Sequence, residues 1–146
     1  MYRDASIHYH EADWAGFQFA VVDGARSLCF FDDHVNQARR VREAYAKGFR
    51  RLLFDDDPPA HKLYVFGYPG VPTIGMVMDP SLAPGEVLEW VWRGAPRRYL
   101  HEGTEAAAAR ALITRYAVFP DVAGVTRYGP RGFLSFVELV DRQSGQ

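Results

Sequence analysis

Three runs rich in apolar and aromatic side chains, separated by turn signals, predict three β-strands in succession at residues 61–93. The segments are HKLYVFGY, PTIGMVMD and EVLEWVWR, and the turn-rich GYPGVP and PSLAPGE lie between them. In the third segment Leu88, Trp90 and Trp92 share one face, because side chains alternate across the two faces of a strand. Two of the chain's three tryptophans lie here. We therefore expect this stretch to form the centre of the fold.

Shorter strands are predicted on either side of this centre. Phe17, Phe19 and Val21 alternate with smaller or polar residues, which is the pattern of a half-buried strand. The remaining predicted strands are residues 5–11, 16–22 and 27–31, and a closing hairpin formed by residues 125–128 and 133–140.

Two helices are predicted between the strands. The first begins at Asp32-Asp33, whose carboxylates can accept hydrogen bonds from free backbone N–H groups, and ends at Gly48, which tolerates a left-handed cap. Residues 49–54 are assigned to a strand rather than to an extension of this helix. The second helix begins at the N-cap Thr104. Its predicted apolar face consists of Leu112, Ile113, Tyr116 and Phe119.

The order of these elements predicts an α+β fold. From residue 27 onward it is β-α-β-β-β-α-β-β, close to the split β-α-β order of ferredoxin-like folds. We expect a single domain, residues 1–146, with one mainly antiparallel sheet, either ferredoxin-like or an elaborated meander, and two helices packed on one face. Aromatic side chains on both faces of the central strands predict that the second face is covered by the N-terminal strands, a ligand or another subunit.

Composition narrows the classes of function. The net charge is −1, so binding that depends on neutralising nucleic-acid phosphates is disfavoured. Cys29 is the only cysteine, which excludes an intramolecular disulfide and favours a reducing compartment, the cytoplasm; its apolar neighbours predict a place in the core. No apolar run approaches the roughly 18 residues of a membrane helix, and residues 1–11 lack the apolar region of a signal peptide.

Three groups of side chains were weighed as metal ligands. His8 and His10 share one face of a predicted strand, but Glu11 points to the other face and no third ligand lies at a recognisable spacing. Residues 55–57 form an acidic run that two prolines follow, which is typical of a solvated loop rather than a calcium loop. Residues 32–34 are explained by a helix cap. The sequence therefore predicts no metal and no cofactor.

The strongest candidate for a binding site is the segment between the last central strand and the second helix. It combines arginine forks, which bind carboxylate or phosphate at two points, with aromatic side chains typical of protein interfaces. Alternatively, the arginines form surface ion pairs with Glu86, Glu89 and Glu102, each worth less than about 1 kcal/mol. The predicted binding residues are Trp92, Arg93, Arg97, Arg98, Tyr99 and His101.

The absence of catalytic motifs favours a non-catalytic protein. The sequence contains no GxGxxG, GxxxxGK[ST], HExxH or GxSxG pattern. We therefore expect a small, soluble protein that binds a protein partner, as bacterial inhibitors and immunity proteins do, or that forms a homodimer through the open sheet face. The alternative is a small-molecule enzyme or ligand binder whose pocket uses His8, His10 or His101 as general base and Arg93 or Arg97 to hold an anionic group.

Overall fold

A computed structural model describes residues 7, 11–19, 22–24, 26–64, 70–120 and 132–141. Short 3-10 turns lie at Trp14–Gly16 and Ala60–Lys62. The helices and strands of the described residues are β1 (Leu28–Phe31), α1 (Gln37–Ala46), β2 (Arg51–Phe54), α2 (Ile74–Met78), β3 (Val87–Trp92), β4 (Ala95–Leu100), α3 (Thr104–Arg110), β5 (Ile113–Val118) and β6 (Ser135–Leu139).

The strands form two sheets. A four-stranded sheet has the order β1-β2-β6-β5, in which β1 and β2 are parallel and the other pairs are antiparallel. Strands β3 and β4 form a separate antiparallel hairpin. The α+β class with a mainly antiparallel sheet is thus confirmed. Helix α1 connects β1 and β2, which are neighbours in the sheet. In the split β-α-β order of ferredoxin-like folds, another strand lies between the two strands that the helix connects.

Helix α1 begins later than the sequence predicts and ends where predicted. Its N-cap is Asn36, whose side chain accepts a hydrogen bond from the Arg39 N–H at 2.9 Å, while Asp33 accepts from Val35 in the preceding loop. After its last turn, Gly48 takes a φ of 101°, the left-handed conformation that glycine adopts without a Cβ clash.

The main core lies between the four-stranded sheet and the helices. Cys29 belongs to this core as predicted, and burial raises the pKa of its thiol to about 12. The buried sheet residues are Cys29, Phe31, Leu52, Phe54, Val137 and Leu139, and the helices contribute Ala38, Val41, Ala44, Ile74, Val77, Ala106 and Ala109. All three helices therefore cover the same face of the sheet.

A second, smaller core lies under the β3–β4 hairpin. Trp90, Leu63, Met76 and Leu82 are buried together there. Helix α2 contributes to both cores, since Ile74 and Val77 pack in the main core. The hairpin is attached to the rest of the fold through this helix.

One of the three predicted central strands is confirmed. The segment EVLEWVWR forms β3, but PTIGMVMD is wrong as a strand, because residues 74–78 form α2. Thr73 caps this helix by accepting a hydrogen bond from the Met76 N–H at 3.2 Å. Of the segment HKLYVFGY, residues 61–64 form a 3-10 turn and its continuation, and residues 65–69 lie outside the described part of the chain.

The second predicted helix is too long. It stops at Arg110, and residues 113–118 form β5 rather than a helical face. Its N-cap is Gly103, with a φ of 83°, rather than Thr104. Strand β6 confirms a strand within residues 133–140, and it pairs with β2 and β5; residues 125–128 lie outside the described residues.

The strands at residues 27–31 and 49–54 are confirmed as β1 and β2. The predicted N-terminal pair is only partly covered by the structure. Residues 11–19 contain a 3-10 turn and no strand, and most of residues 5–10 lie outside the described ranges.

Candidate functional site

The β3–β4 hairpin carries all six predicted binding residues. Trp92 pairs with Ala95, so the connection is the two-residue turn Arg93-Gly94, with φ angles of 49° and 76°. Positive φ at both turn residues is the geometry of a type I′ turn, whose twist matches that of paired strands. The turn therefore fixes the register of the whole hairpin.

Trp92 lies at the tip of the hairpin between two arginines. The guanidinium carbon of Arg93 is 4.6 Å from the centre of the Trp92 ring, and that of Arg97 is 5.6 Å away. These distances are typical of cation–π contacts. The structure thus brings together three of the predicted residues at the tip.

Tyr99 and His101 face inward from the hairpin. His101 is buried, and its backbone N–H donates to the Glu86 carbonyl at 2.9 Å. The Tyr99 hydroxyl lies 3.4 Å from His101 Nδ1, and burial, helped by the carboxylates of Glu105 and Glu102, raises the pKa of Tyr99 to about 12. These two side chains support the hairpin from within.

The outer face of the hairpin is exposed, with apolar side chains at both ends and a charged pair in the middle. Val91 is 60% exposed, and Val87 and Leu100 are also exposed at the other end of the same face. Between them Glu89 pairs with Arg98, with Nε and Oε1 3.8 Å apart and both side chains exposed. Such an ion pair contributes little to stability. It corresponds to the surface pairing that the sequence left open as an alternative.

A cavity of about 520 Å³ lies at the edge of the four-stranded sheet. Asp57 is its one deeply buried charged group, at 1% exposure, and the solvated loop predicted for residues 55–57 is wrong for this residue. Among the described residues, neither a histidine nor an arginine lines this cavity, so the described part of the chain brings no histidine–arginine pair together there. The lining consists of Asp57, Pro59, Gly75, Met78, Asp79, Tyr116, Val118 and Phe133.

Hydrogen bonds hold the Asp57 carboxylate in place. The Gly75 N–H donates to Oδ1 at 2.6 Å and the Tyr116 hydroxyl donates to Oδ2 at 3.0 Å. Burial raises the pKa of Asp57 to about 6, although these hydrogen bonds and the nearby Ser135 hydroxyl favour the charged form. Asp57 therefore joins β5 to the first turn of α2.

Asp32, His34 and Asp56 meet at the carboxyl ends of the parallel strands β1 and β2. Their potential ligand atoms all lie within 4.8 Å of one another, close enough to share a divalent cation. His34 Nε2 is 3.3 Å from Asp56 Oδ2. This contact brings two of the three side chains together, and exposed acidic groups often cluster without an ion. The other proposed ligands, His8 and His10, lie outside the described residues.

The face of the four-stranded sheet away from the helices has two rows of side chains. Pairing in register places Phe30, Leu53, Phe136 and Ala117 in one row, and Leu28, Arg51, Glu138 and Arg115 in the next. Phe30 is 56% exposed and Leu28 is similarly accessible. The sequence predicted an open second face on the strands of residues 61–93, but none of the four strands of this sheet comes from that stretch.

A second cavity, of about 400 Å³, lies on this face. We call it the arginine groove; it is lined by Arg26, Ser27, Leu28, Arg51, Arg115, Phe136 and Glu138. Sequence reasoning missed it, because its arginines are far apart along the chain. The alternation of Arg51 and Glu138 with buried neighbours is the one signal that could have placed them on a common face.

Comparison of the chain with protein families, with curated proteins and with solved structures gives no match. Among the helices of the described ranges, none is long and apolar enough to cross a membrane. Function is therefore argued from the surfaces themselves.

Proposed function

We propose that the protein binds another protein through the outer face of the β3–β4 hairpin. The observation that carries this proposal is the exposure of Val87, Val91 and Leu100 on one face of two paired strands. Exposed apolar side chains that lie close to charged groups on one surface are typical of protein interfaces. The proposal places the protein in the cytoplasm, since its single cysteine is buried as a thiol.

The charges around the hairpin define the partner's chemistry. Arg93 at the tip and Arg98 on the outer face are exposed, and Trp92 is partly accessible between Arg93 and Arg97. A partner surface with an apolar centre and a carboxylate opposite Arg98 would match this arrangement, because a guanidinium binds a carboxylate at two points. Neither cavity described above is lined by the outer-face residues, which favours a protein surface over a small ligand here.

The predicted binding residues divide into three groups under this proposal. Arg93 and Arg98 contact the partner, and Trp92 and Arg97 shape the tip. Tyr99 and His101 hold the hairpin in position from its inner side. In the enzyme alternative His8, His10 or His101 acts as general base beside Arg93 or Arg97 in a pocket. The burial of His101 does not favour that residue, and His8 and His10 lie outside the described residues.

A photo-crosslinking side chain at position 91 tests the proposal in the native cell. Val118 is the matched control, since it is also an exposed strand valine but lies on β5. We expect one discrete protein adduct at position 91, lost in the Arg98→Glu variant, and none at position 118. An adduct of twice the chain mass identifies the partner as a second copy. Equal labelling at both positions, or no adduct at position 91, would contradict the proposal.

A further inference from the structure

We infer that the arginine groove is a binding site for a small organic anion: a carboxylate or phosphate group attached to an apolar body. Three arginines from separate parts of the chain line one cavity of about 400 Å³. Arg26 precedes β1, Arg51 lies in β2 and Arg115 lies in β5. The volume falls within the usual range of small-molecule sites, about 300–1,000 Å³.

The groove has more positive charge than its own carboxylate can neutralise. Arg51 Nε lies 3.9 Å from Glu138 Oε1, a long contact between half-exposed side chains. Within the described residues, Arg26 and Arg115 form no ion pair with any carboxylate. Two guanidinium groups are thus available, and planar guanidinium forks suit the two-point binding of carboxylate or phosphate oxygens.

The sheet itself positions these arginines. Arg51 and Arg115 stand on either side of Glu138 in one row across β2, β6 and β5. A β-bulge at Thr114 brings Arg115 into this row. Ile113 pairs with Leu139 and Arg115 pairs with Glu138, so β5 has one extra residue at this point. The Thr114 hydroxyl donates a hydrogen bond to the Glu138 carbonyl at 3.0 Å, which stabilises the bulge.

The apolar part of the ligand is indicated by the floor of the groove. Leu28 and Phe136 line it together with the arginines. Phe136 continues into the apolar row that contains the exposed Phe30. An aromatic or aliphatic body would cover this surface while its anionic group lies against the guanidinium groups of Arg26 and Arg115.

Titration of the ¹⁵N-labelled full chain, followed by amide chemical shifts, tests this inference. The probes are phenyl phosphate and benzoate, which distinguish the two anionic groups, with phenol and inorganic phosphate as half-ligands. We expect saturable shifts at residues 28, 51, 115 and 138 with phenyl phosphate or benzoate. The half-ligands should bind at least about tenfold more weakly, because each supplies only the apolar or only the charged contact.

Four variants assign the binding to the groove. Arg115→Ala should raise the dissociation constant of the probe about tenfold or more. Arg115→Lys keeps the charge but loses the planar guanidinium group, so its dissociation constant should lie between those of Arg115→Ala and the wild type. Glu138→Gln should strengthen binding, because it removes the competing carboxylate. Arg42→Ala, an exposed arginine of α1, is the control and should leave the affinity unchanged.

Three results with the small probes would overturn the inference. The first is an equal dissociation constant for phenyl phosphate and inorganic phosphate. The second is an unchanged dissociation constant in Arg115→Ala when its melting temperature is that of the wild type, and the third is chemical-shift changes spread evenly over surface arginines such as Arg98. An oligothymidine that binds more tightly than phenyl phosphate, through the same arginines, would also overturn it by assigning the face to single-stranded nucleic acid.

Discussion

Asp57 is the residue on which the packing at one edge of the sheet depends. Its backbone N–H donates to the Phe133 carbonyl at 2.9 Å, and its carboxylate accepts from α2 and β5. Gln37 performs a similar task nearby: its Nε2 donates to the Asp55 and Asp56 carbonyls, and its Oε1 accepts from the Ile74 N–H. Buried polar groups that are satisfied in this way fix the positions of the segments they join.

The raised pKa of Asp57 predicts a specific pH dependence of stability. Its pKa is about 6 in the folded protein against an ordinary 3.8, so the folded state binds this proton more tightly than the unfolded state. The resulting stabilisation is complete below about pH 4 and is lost as the pH rises through 6, a change of about 3 kcal/mol. Urea unfolding of the wild type and Asp57→Asn between about pH 4 and 7 measures it.

The variant isolates this carboxyl from the other groups that titrate in the same range. Between pH 4 and pH 7 the free energy of unfolding of the wild type should fall by about 3 kcal/mol relative to that of Asp57→Asn. Asparagine is the matched replacement because its side-chain oxygen can still accept from the Gly75 N–H. A difference that is constant with pH would show that the folded Asp57 titrates in its ordinary range.

Two elements show how far the sequence predicts this fold and why it then fails. The alternation of side chains in residues 87–92 predicts β3 correctly, because Trp90 is buried on one face of the strand while Val91 is exposed on the other. Helix α2 was assigned to a strand because Ile74, Met76 and Val77 are all apolar. A short helix buried between two cores has no polar face, so its sequence cannot be told from that of a buried strand.

The sequence predicts a helix at residues 113–118, where the structure has β5, for a different reason. Ile113 and Tyr116 are three residues apart, a helical spacing, and in the structure both pack against the main core. The bulge at Thr114 shifts the phase of the strand by one residue, so that both side chains reach the same face. The arginine groove depends on this bulge as well, which is why neither could be predicted from periodicity.

The hairpin turn gives a prediction at the scale of this element. Gly94 has a φ of 76°, and a Cβ added there would have no atom within 4 Å. Gly94→Ala should therefore destabilise the protein by about 1–2 kcal/mol through the backbone alone. Gly16 is the matched control, because a Cβ there also has open space and its φ is not positive. Chemical denaturation of both variants measures the difference.

The control fixes the interpretation of that measurement. Gly16→Ala should change the free energy of unfolding by less than about 0.5 kcal/mol. Equal effects of the two substitutions would show that the turn at Arg93-Gly94 lacks the left-handed geometry on which the hairpin's register depends.

At the scale of the whole molecule, the helices cover one face of the sheet and leave two other surfaces open. One is the outer face of the β3–β4 hairpin, and the other is the arginine groove on the opposite face of the sheet. The sequence predicted a binding region at residues 92–101 and placed Trp90 and Trp92 on one face of β3. It could not predict that β3 and β4 form a separate sheet, because the core that covers Trp90 and Tyr99 includes Met76 of α2, in a segment predicted as a strand.

The affinity of the partner crosslinked at position 91 tests the central proposal most directly. Isothermal titration of the purified partner would compare the wild type with Val91→Asp and Val118→Asp, two substitutions of exposed valines, and the melting temperature of each variant is measured alongside. We predict that Val91→Asp raises the dissociation constant by at least about tenfold, because it places a charge in the apolar contact, and that Val118→Asp leaves it within about twofold. Equal dissociation constants for the two variants would contradict recognition by the hairpin's outer face.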